Sequence, residues 1–304
     1  MLEKDTVKSI VTTTIHRPTE ALRRFAAMKG WTLIVIGDKK TPLDWYIPGA
    51  IYVTPENQDS YDHKLSEAIG WNCVQRRNFG LLLAKGSDIV AIVDDDNIPY
   101  EGWGENLMIG QETSVNYYTT DLPAFDPVGA TNYTELWHRG FPLELLPKRD
   151  YTNKQRICIT PDVQADFWDG DPDIDAVCRM EYAPECVFQK RYFPIASNAI
   201  SPFNSQNTFI SGKFLKDYFM FPETGRMNDI WASYYVQAKG ACVVYGEASV
   251  RQHRNEHDVI EDMKQEYIGY EHNLEIVKAL CPTTILSFLS HQALQAFELY
   301  QKHF

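Results

Sequence analysis

The sequence is poor in positive charge. Its 304 residues carry 29 Lys and Arg against 41 Asp and Glu, a formal net charge of -12, and no basic run breaks that balance. Such a surface repels nucleic-acid backbones and anionic membranes, which excludes polyanion binding as the main activity. Cysteine is sparse as well. Six occur, at positions 73, 158, 178, 186, 242 and 281, with no CxxC pair among them. That scatter is neither a zinc pattern nor a disulfide framework and predicts free thiols in a reducing compartment. No apolar window approaches membrane-spanning length, and the opening MLEKDTVKSIVTTT carries charges where a signal peptide needs an apolar core. The expectation is a soluble, cytoplasmic protein without a transmembrane segment. Glycine-rich phosphate cradles are missing too: no GxGxxG follows the first strand and no GxxxxGK(S/T) occurs. Phosphate handling then falls to a metal ion and to side chains, with Lys39, Arg76 and Arg77 as candidate cations.

What is present is a 44% hydrophobic chain, long enough for one large α/β domain. Its centre is the stretch from Arg76 to Pro99. Phe79, Leu82 and Leu83 recur at helical spacing, and Lys85-Gly86 closes that helix with a cation and a turn glycine. Ile89 to Val93 is a short, β-branched, wholly apolar run, as in a strand covered on both faces. Asp94, Asp95 and Asp96 stand where it ends. Side chains alternate along a strand, so Asp94 and Asp96 point one way and Asp95 the other. Like charges this close repel unless a cation neutralises them, so Asp94 and Asp96 are read as metal ligands.

The flanking chain places that triad. Ser9 to Thr14 and Trp31 to Ile36 are predicted strands, separated by a helix whose apolar face is Leu22, Phe25 and Met28. Ala50 to Val53 is a third strand, and a helix spans Trp71 to Lys85. Strand alternating with helix predicts a mostly parallel, Rossmann-like sheet that binds ligands at its carboxyl edge, where Thr13, Arg17, Asp38, Asp94 and Asp96 lie together. Beyond Pro99 the pattern is irregular. The acidic run from Asp162 to Asp175 reads as a solvated loop or a loop facing a polyhydroxylated acceptor, with Trp168 either stacking on a sugar or buried. Asn207 to Ser211 and Ala241 to Tyr245 read as strands. Asn228 is placed as a helix cap, with Asp229 in the first turn and Ile230, Trp231 and Tyr234 on the buried face. Val259 to Leu280 and Thr284 to His303 read as helices, with stripes of Ile260, Met263, Tyr267 and Tyr270, and of Ile285, Phe288, Leu289 and Phe297, suited to core or homo-oligomer contacts.

Gly30-Trp31-Thr32-Leu33-Ile34-Val35-Ile36-Gly37-Asp38, Lys40-Thr41-Pro42-Leu43-Asp44-Trp45, Gly49-Ala50-Ile51-Tyr52 and Arg77-Asn78-Phe79-Gly80 together resemble the STELLO-type family of glycosyltransferases over about the first hundred residues. From Asp94 onward the chain is also similar to the plant reversibly glycosylated polypeptides, the UDP-arabinopyranose mutases. Both resemblances imply a GT-A-like α/β fold: a mostly parallel sheet flanked by helices over 1–256, with a helical C-terminal extension over 257–304. They imply an Asp-x-Asp motif holding Mn²⁺ or Mg²⁺ on the diphosphate of a nucleotide-sugar donor. The implied activity is metal-dependent, inverting transfer of a sugar from a donor such as a UDP-sugar to the hydroxyl of a glycan or other acceptor. Thr13, Arg17, Asp38, Arg76, Asp94 and Asp95 would line the donor. His253 would complete the metal shell, with His257 as its rival. Asp229, which matches an acid in the mutase segment Arg-Tyr-Asp-Asp-Met-Trp-Ala, would be the general base.

Trp137-His138-Arg139-Gly140-Phe141-Pro142 resembles the mutase segment before its self-glycosylated arginine, but Leu146 stands where that arginine falls, which argues against a mutase. A nucleotidyltransferase would want a basic, glycine-rich loop after the first strand, and TTTIHRPTE is not one. A non-catalytic nucleotide-sugar-binding or scaffold protein of a polysaccharide-synthesising complex is the remaining alternative.

Overall fold

The computed structural model describes residues 6–252 and 258–304. Strand β1 (Lys8–Thr14) leads into helix α1 (Glu20–Ala26), whose first turn is capped by Thr19 Oγ1 accepting the Leu22 N–H at 3.2 Å. Then come β2 (Thr32–Gly37), β3 (Ile51–Val53), α2 (Pro55–Tyr61), α3 (His63–Ile69), α4 (Arg77–Leu83) and β4 (Ile89–Val93). β2 and β4 flank β1, and β3 lies outside β2, all parallel. Every residue of β4 is buried, as its apolar sequence requires. α4 lies close on β1 because residue 80 is glycine: a Cβ there would stand 2.4 Å from Val11 Cγ1. The helix expected from Trp71 starts later, with a 3₁₀ turn over Val74–Arg76 that leads into α4.

The second half supplies β5 (Asn97–Pro99), β6 (Thr113–Tyr118), β7 (Lys154–Ile159), β8 (Val163–Gly170), α5 (Ala176–Tyr182), β9 (Ile195–Ser197), β10 (Asn207–Ser211), α6 (Asn228–Ala238) and β11 (Val243–Gln252). Among the described residues one eleven-stranded sheet runs β3-β2-β1-β4-β10-β8-β11-β9-β6-β7, with β5 paired to β11. It is parallel from β3 to β4 and mixed beyond. β10 runs antiparallel to both β4 and β8, while β11 is parallel to β8. The expected parallel pairing is unbroken among the N-terminal strands and recurs between β8 and β11 and between β6 and β9, with antiparallel pairs interleaved. Past β4 the strict alternation of strand and crossover helix stops, and antiparallel pairs need no such crossover.

The acidic run from Asp162 to Asp175 is not a loop: most of it is β8, in the middle of the sheet. Its apolar members Val163, Phe167 and Trp168 are buried, so Trp168 is a core residue and not a sugar platform. The polar members Gln164 and Asp166 are buried with partners. Gln164 Nε2 donates to Asp166 Oδ1 at 2.8 Å. Burial, with the Glu247 charge adding to it, pushes the Asp166 carboxyl up to about 7. A folded-state value above the ordinary carboxyl range means that the native state holds the extra proton, so stability falls as pH rises from about 4 to about 7. Asp166→Asn should gain about 1–3 kcal/mol on the wild type between pH 5 and pH 8 in urea denaturation. A constant difference across that range would refute the assignment.

The C-terminal helices α7 (Val259–Ala279), α8 (Pro282–Ser287) and α9 (His291–Gln301) pack on the sheet's helical layer, α9 against α3 and α7 against the 3₁₀ turn Gly225–Met227. Ser290 breaks the helix expected from Thr284 to His303: its Oγ accepts the Ala293 N–H at 3.1 Å and starts α9 afresh. The stripe expected on α7 is also displaced. Ile260 and Tyr267 are exposed, while Asp262, Glu266, Gly269 and Asn273 face inward. The inward polar side chains have partners there: Arg226 for Asp262 and Glu266, and the Trp231 indole N–H for Asn273. Among the described residues no helix is long and apolar enough to cross a membrane.

Candidate active site

A cleft of 710 Å³ opens where β1, β2, β4, β8 and β11 end and β10 begins. It sits at the point where the strand order reverses across β1, the crevice that open α/β sheets use for ligands.

Thr13, Asp38, Asp94, Asp95, Asp96 and Asp229 all line this cleft. Thr13 Oγ1 donates to Ile36 O at 2.8 Å, tying the end of β1 to β2. Asp38 is buried and organises a loop: its carboxylate accepts the N–H groups of Lys39 at 2.6 Å, Asn72 at 2.9 Å and Cys73 at 3.1 Å. The three aspartates follow the end of β4 in a turn, where strand alternation no longer applies, and Asp95 is tied to β1 and α1: Thr14 Oγ1 donates to its Oδ2 and Thr19 Oγ1 donates to its backbone oxygen at 2.5 Å. Asp94 Oδ1 accepts from Arg77 Nη2 at 2.7 Å. The Arg77 guanidinium, itself buried, also donates to Ser205 O at 2.9 Å and Ser205 Oγ at 3.0 Å. A third of the Asp94 side chain reaches the open cleft. Its recessed position nevertheless pushes its carboxyl up, with the charges of Asp95 and Asp229 acting the same way and Arg77 against them.

Two expected donor residues are elsewhere. Arg17 is 72% exposed, pairs with Asp44 at 3.0 Å and is not among the residues lining the cleft. Arg76 is fully buried. It donates to Gln58 Oε1 at 2.8 Å and to Ser66 O at 3.1 Å, and its guanidinium stacks on the Trp71 ring at 3.7 Å. Burial holds it down to about 10. It is a structural cation under the helices, and its neighbour Arg77 is the one that reaches the cleft. Arg76→Met should cost about 2 kcal/mol, from the buried acceptors it leaves unsatisfied. Any thermal shift caused by nucleotide should persist in that variant, and its loss would return Arg76 to the site.

Asp229 has a different setting from the one expected. Asn228 is the first residue of α6 and not its cap; its Nδ2 donates to Gly225 O at 2.6 Å. The Asp229 carboxylate accepts five hydrogen bonds. Arg139 Nη1 and Nη2 approach at 2.9 and 3.1 Å, the Ser205 N–H and Oγ at 3.0 and 3.1 Å, and the Ile230 N–H at 2.9 Å. Burial alone would raise its carboxyl; the Arg139 charge and hydrogen bonds bring it below the ordinary value. A carboxylate so held is a poor proton acceptor. In this arrangement the carboxylate that is expected to act as general base is engaged by Arg139, Ser205 and the Ile230 N–H.

Arg139 is the centre of a buried ionic cluster that sequence reasoning missed. Its Nε and Nη2 also donate to Asp173, at 2.9 and 2.8 Å, and hold that carboxyl well below its usual range. Arg226 lies 3.6 Å from Asp173 and pairs with Asp262 at 3.2 Å and Glu266 at 2.8 Å on α7. Gly140 allows the neighbouring chain to lie against α6: it has φ 94°, and a Cβ would stand 2.4 Å from Ile230 Cγ2. The segment from Trp137 to Pro142 stands out in the sequence, but nothing local joins Arg139 to Asp173 or Asp229.

His253 and His257 lie outside the described residues; Gln252, the residue before them, lines the cleft. Among the described residues no three His, Cys, Asp or Glu side chains gather closely enough to hold a metal ion alone. The hard oxygens of Asp94 and Asp96 suit the other mode, in which Mg²⁺ or Mn²⁺ takes one or two carboxylates and completes its shell from a ligand's phosphates and water.

Fold and cleft thus define an α/β protein with an acidic ligand site at the carboxyl edge of its sheet. In sequence the chain is similar to two Arabidopsis thaliana proteins described as probable glycosyltransferases. STELLO2 is 25% identical over 186 residues, 57% of this chain and 24% of that one, and STELLO1 is 24% identical over the same lengths. The chain spans about a quarter of the length of these relatives. No protein-family profile matches it. Among solved structures, it is similar to glucosyl-3-phosphoglycerate synthase from Mycobacterium tuberculosis, 14% identical with a TM-score of 0.44 over 91% of this chain and 80% of that one. The same enzyme with Mn²⁺, UDP-glucose and glycerol 3-phosphate gives 15% identity and a TM-score of 0.45 over 91% and 80%.

Proposed function

We propose that this chain is a metal-dependent glycosyltransferase domain that moves a sugar from a nucleoside-diphosphate donor, a UDP-sugar, to an acceptor hydroxyl. The observation that carries this reading is the aspartate triad at the end of β4, set in a large cleft at the switch point of the sheet, with Arg77 on Asp94. The similarity to STELLO proteins supports the sugar-transfer chemistry.

A divalent cation held by Asp94 and Asp96, with His253 as the further ligand implied by resemblance, would supply Lewis-acid neutralisation of the departing diphosphate. The chain's own residues do the rest. Arg77 fixes the rotamer of Asp94 and favours its ionised form. Thr13, Asp38 and the turn after Asn72 form the nucleoside end, where the Asp38 carboxylate keeps three backbone N–H groups ordered before the ligand arrives. Asp95, bonded to Thr14, anchors the triad to β1 and leaves the ion to its neighbours. The acceptor enters beside the segment from Pro222 to Asp229, against the Arg139 cluster.

The test is a thermal-shift screen of UDP- and GDP-sugars with and without Mn²⁺. The expected result is stabilisation that needs nucleotide and metal together, and slow metal-dependent release of sugar to water from the matching donor. Stabilisation without any release or transfer would leave a non-catalytic binding protein in its place.

A further inference from the structure

Resting on that reading, we infer that the acceptor is an uncharged polyhydroxylated molecule, a neutral carbohydrate, and that the cleft rejects phosphorylated and carboxylated acceptors. The argument is one of charge. On the acceptor side, Asp173, Glu223 and Asp229 stand against Arg139 and Arg226; the whole described lining has seven carboxylates, the triad and Asp38 included, against three arginines, a formal excess of four negative charges.

Each of those arginines already has an acidic partner. Arg77 pairs with Asp94 at 2.7 Å, and Arg139 is shared by Asp173 at 2.8 Å and Asp229 at 2.9 Å. Arg226 is drawn back onto α7, where Glu266 at 2.8 Å and Asp262 at 3.2 Å flank it from outside the cleft. Among the described residues the cleft therefore presents no Lys or Arg that lacks an acidic partner for an incoming phosphate or carboxylate. The formal excess of four counts the described residues. Loading does not reverse it, because a divalent cation and the diphosphate it accompanies roughly cancel.

The rest of the lining mixes apolar side chains, Ile15, Ile69, Val74 and Pro222, with polar groups able to recognise hydroxyls. Gln206, Asn228, Gln252 and Gln265 contribute amides beside the carboxylates. Amides donate and accept, carboxylates accept, and a sugar hydroxyl satisfies both. An anionic acceptor would meet carboxylates without a complementary donor fork, and like-charge juxtaposition discriminates strongly against it. Glu223 stands at this end of the cleft, held through its Oε2 by the Ser290 hydroxyl.

Ligand-observed NMR titration of the full chain with glucose, glucose 6-phosphate and glucuronate decides the matter, run with and without Mn²⁺ and UDP. The expected result is glucose binding at least about tenfold tighter than either anion at low ionic strength, with the gap closing as salt is added. Glu223→Gln should narrow the gap by strengthening binding of the two anions about threefold or more. Equal or tighter binding of glucose 6-phosphate or glucuronate, or no binding of glucose, would overturn the inference. Failure of Mn²⁺ and UDP to bind in the same samples would remove the donor reading instead, and the comparison made without them would still decide the acceptor class.

Discussion

Asp96→Ala should lose the stabilisation that Mn²⁺ and a UDP-sugar confer together on the wild-type chain. With free donor at a hundred times its dissociation constant, linkage gives the wild type about 2.7 kcal/mol, and the variant should gain close to none. The effect is large because a strand-end carboxylate supplies one of the few protein ligands such an ion takes when the rest come from the diphosphate and water. Thermal melts with nucleotide alone, metal alone and both together separate the contributions. Asp94→Asn should behave similarly, and it should also weaken the 2.7 Å contact with Arg77, whose acceptor would lose its charge. A metal-dependent shift that survives in Asp96→Ala would remove this residue from the metal site, and survival in both variants would remove the metal assignment altogether.

The second large effect is on stability. Arg139→Met should destabilise the fold by about 3–5 kcal/mol, because it leaves Asp173 and Asp229 buried without their cation. Both are less than a tenth exposed, and both have their carboxyls lowered by that guanidinium. In the wild type, folded values below the unfolded ones give a contribution that is full above the unfolded carboxyl range, near pH 4, and lost as pH falls through the folded values. In the variant burial is no longer opposed, so the same carboxyls rise and the sign reverses: stability is lost as pH increases from about 4. The deficit of Arg139→Met should therefore be greater at pH 8 than at pH 5 in urea denaturation. Adding Asp173→Asn and Asp229→Asn should restore part of it, since neutral amides need no counterion. A deficit below about 1 kcal/mol, or one that does not change with pH, would mean that the cluster is not the buried ionic unit its distances describe.

Legibility in the sequence followed the range of the interactions. β4 is found residue for residue, because five apolar residues ending in three aspartates need no distant partner to be read. Strand β10 is equally local. β8 was missed because its buried polar residues are compatible with a strand only through partners that the fold provides. The inward face of α7 was misread for the same reason: apolar spacing pointed to Ile260 and Tyr267, while the ion pairs of Asp262 and Glu266 with Arg226 decided the rotation. Arg76 and Arg77 are neighbours of the same type. Only the packing of Trp71 and Gln58 around one and of Asp94 and Ser205 around the other separates a structural cation from a site cation.

By itself the sequence determined the N-terminal parallel unit, the strand that carries the acidic triad and the edge of the sheet on which that triad lies, since all of these follow from periodicity within short segments. The tertiary structure alone decided how the remaining cleft is charged. Arg139 lies 34 residues from Asp173 and 90 from Asp229 in the chain, and the environment of a carboxylate, proton acceptor or saturated partner, depends on which distant cation the fold brings within 3 Å of it.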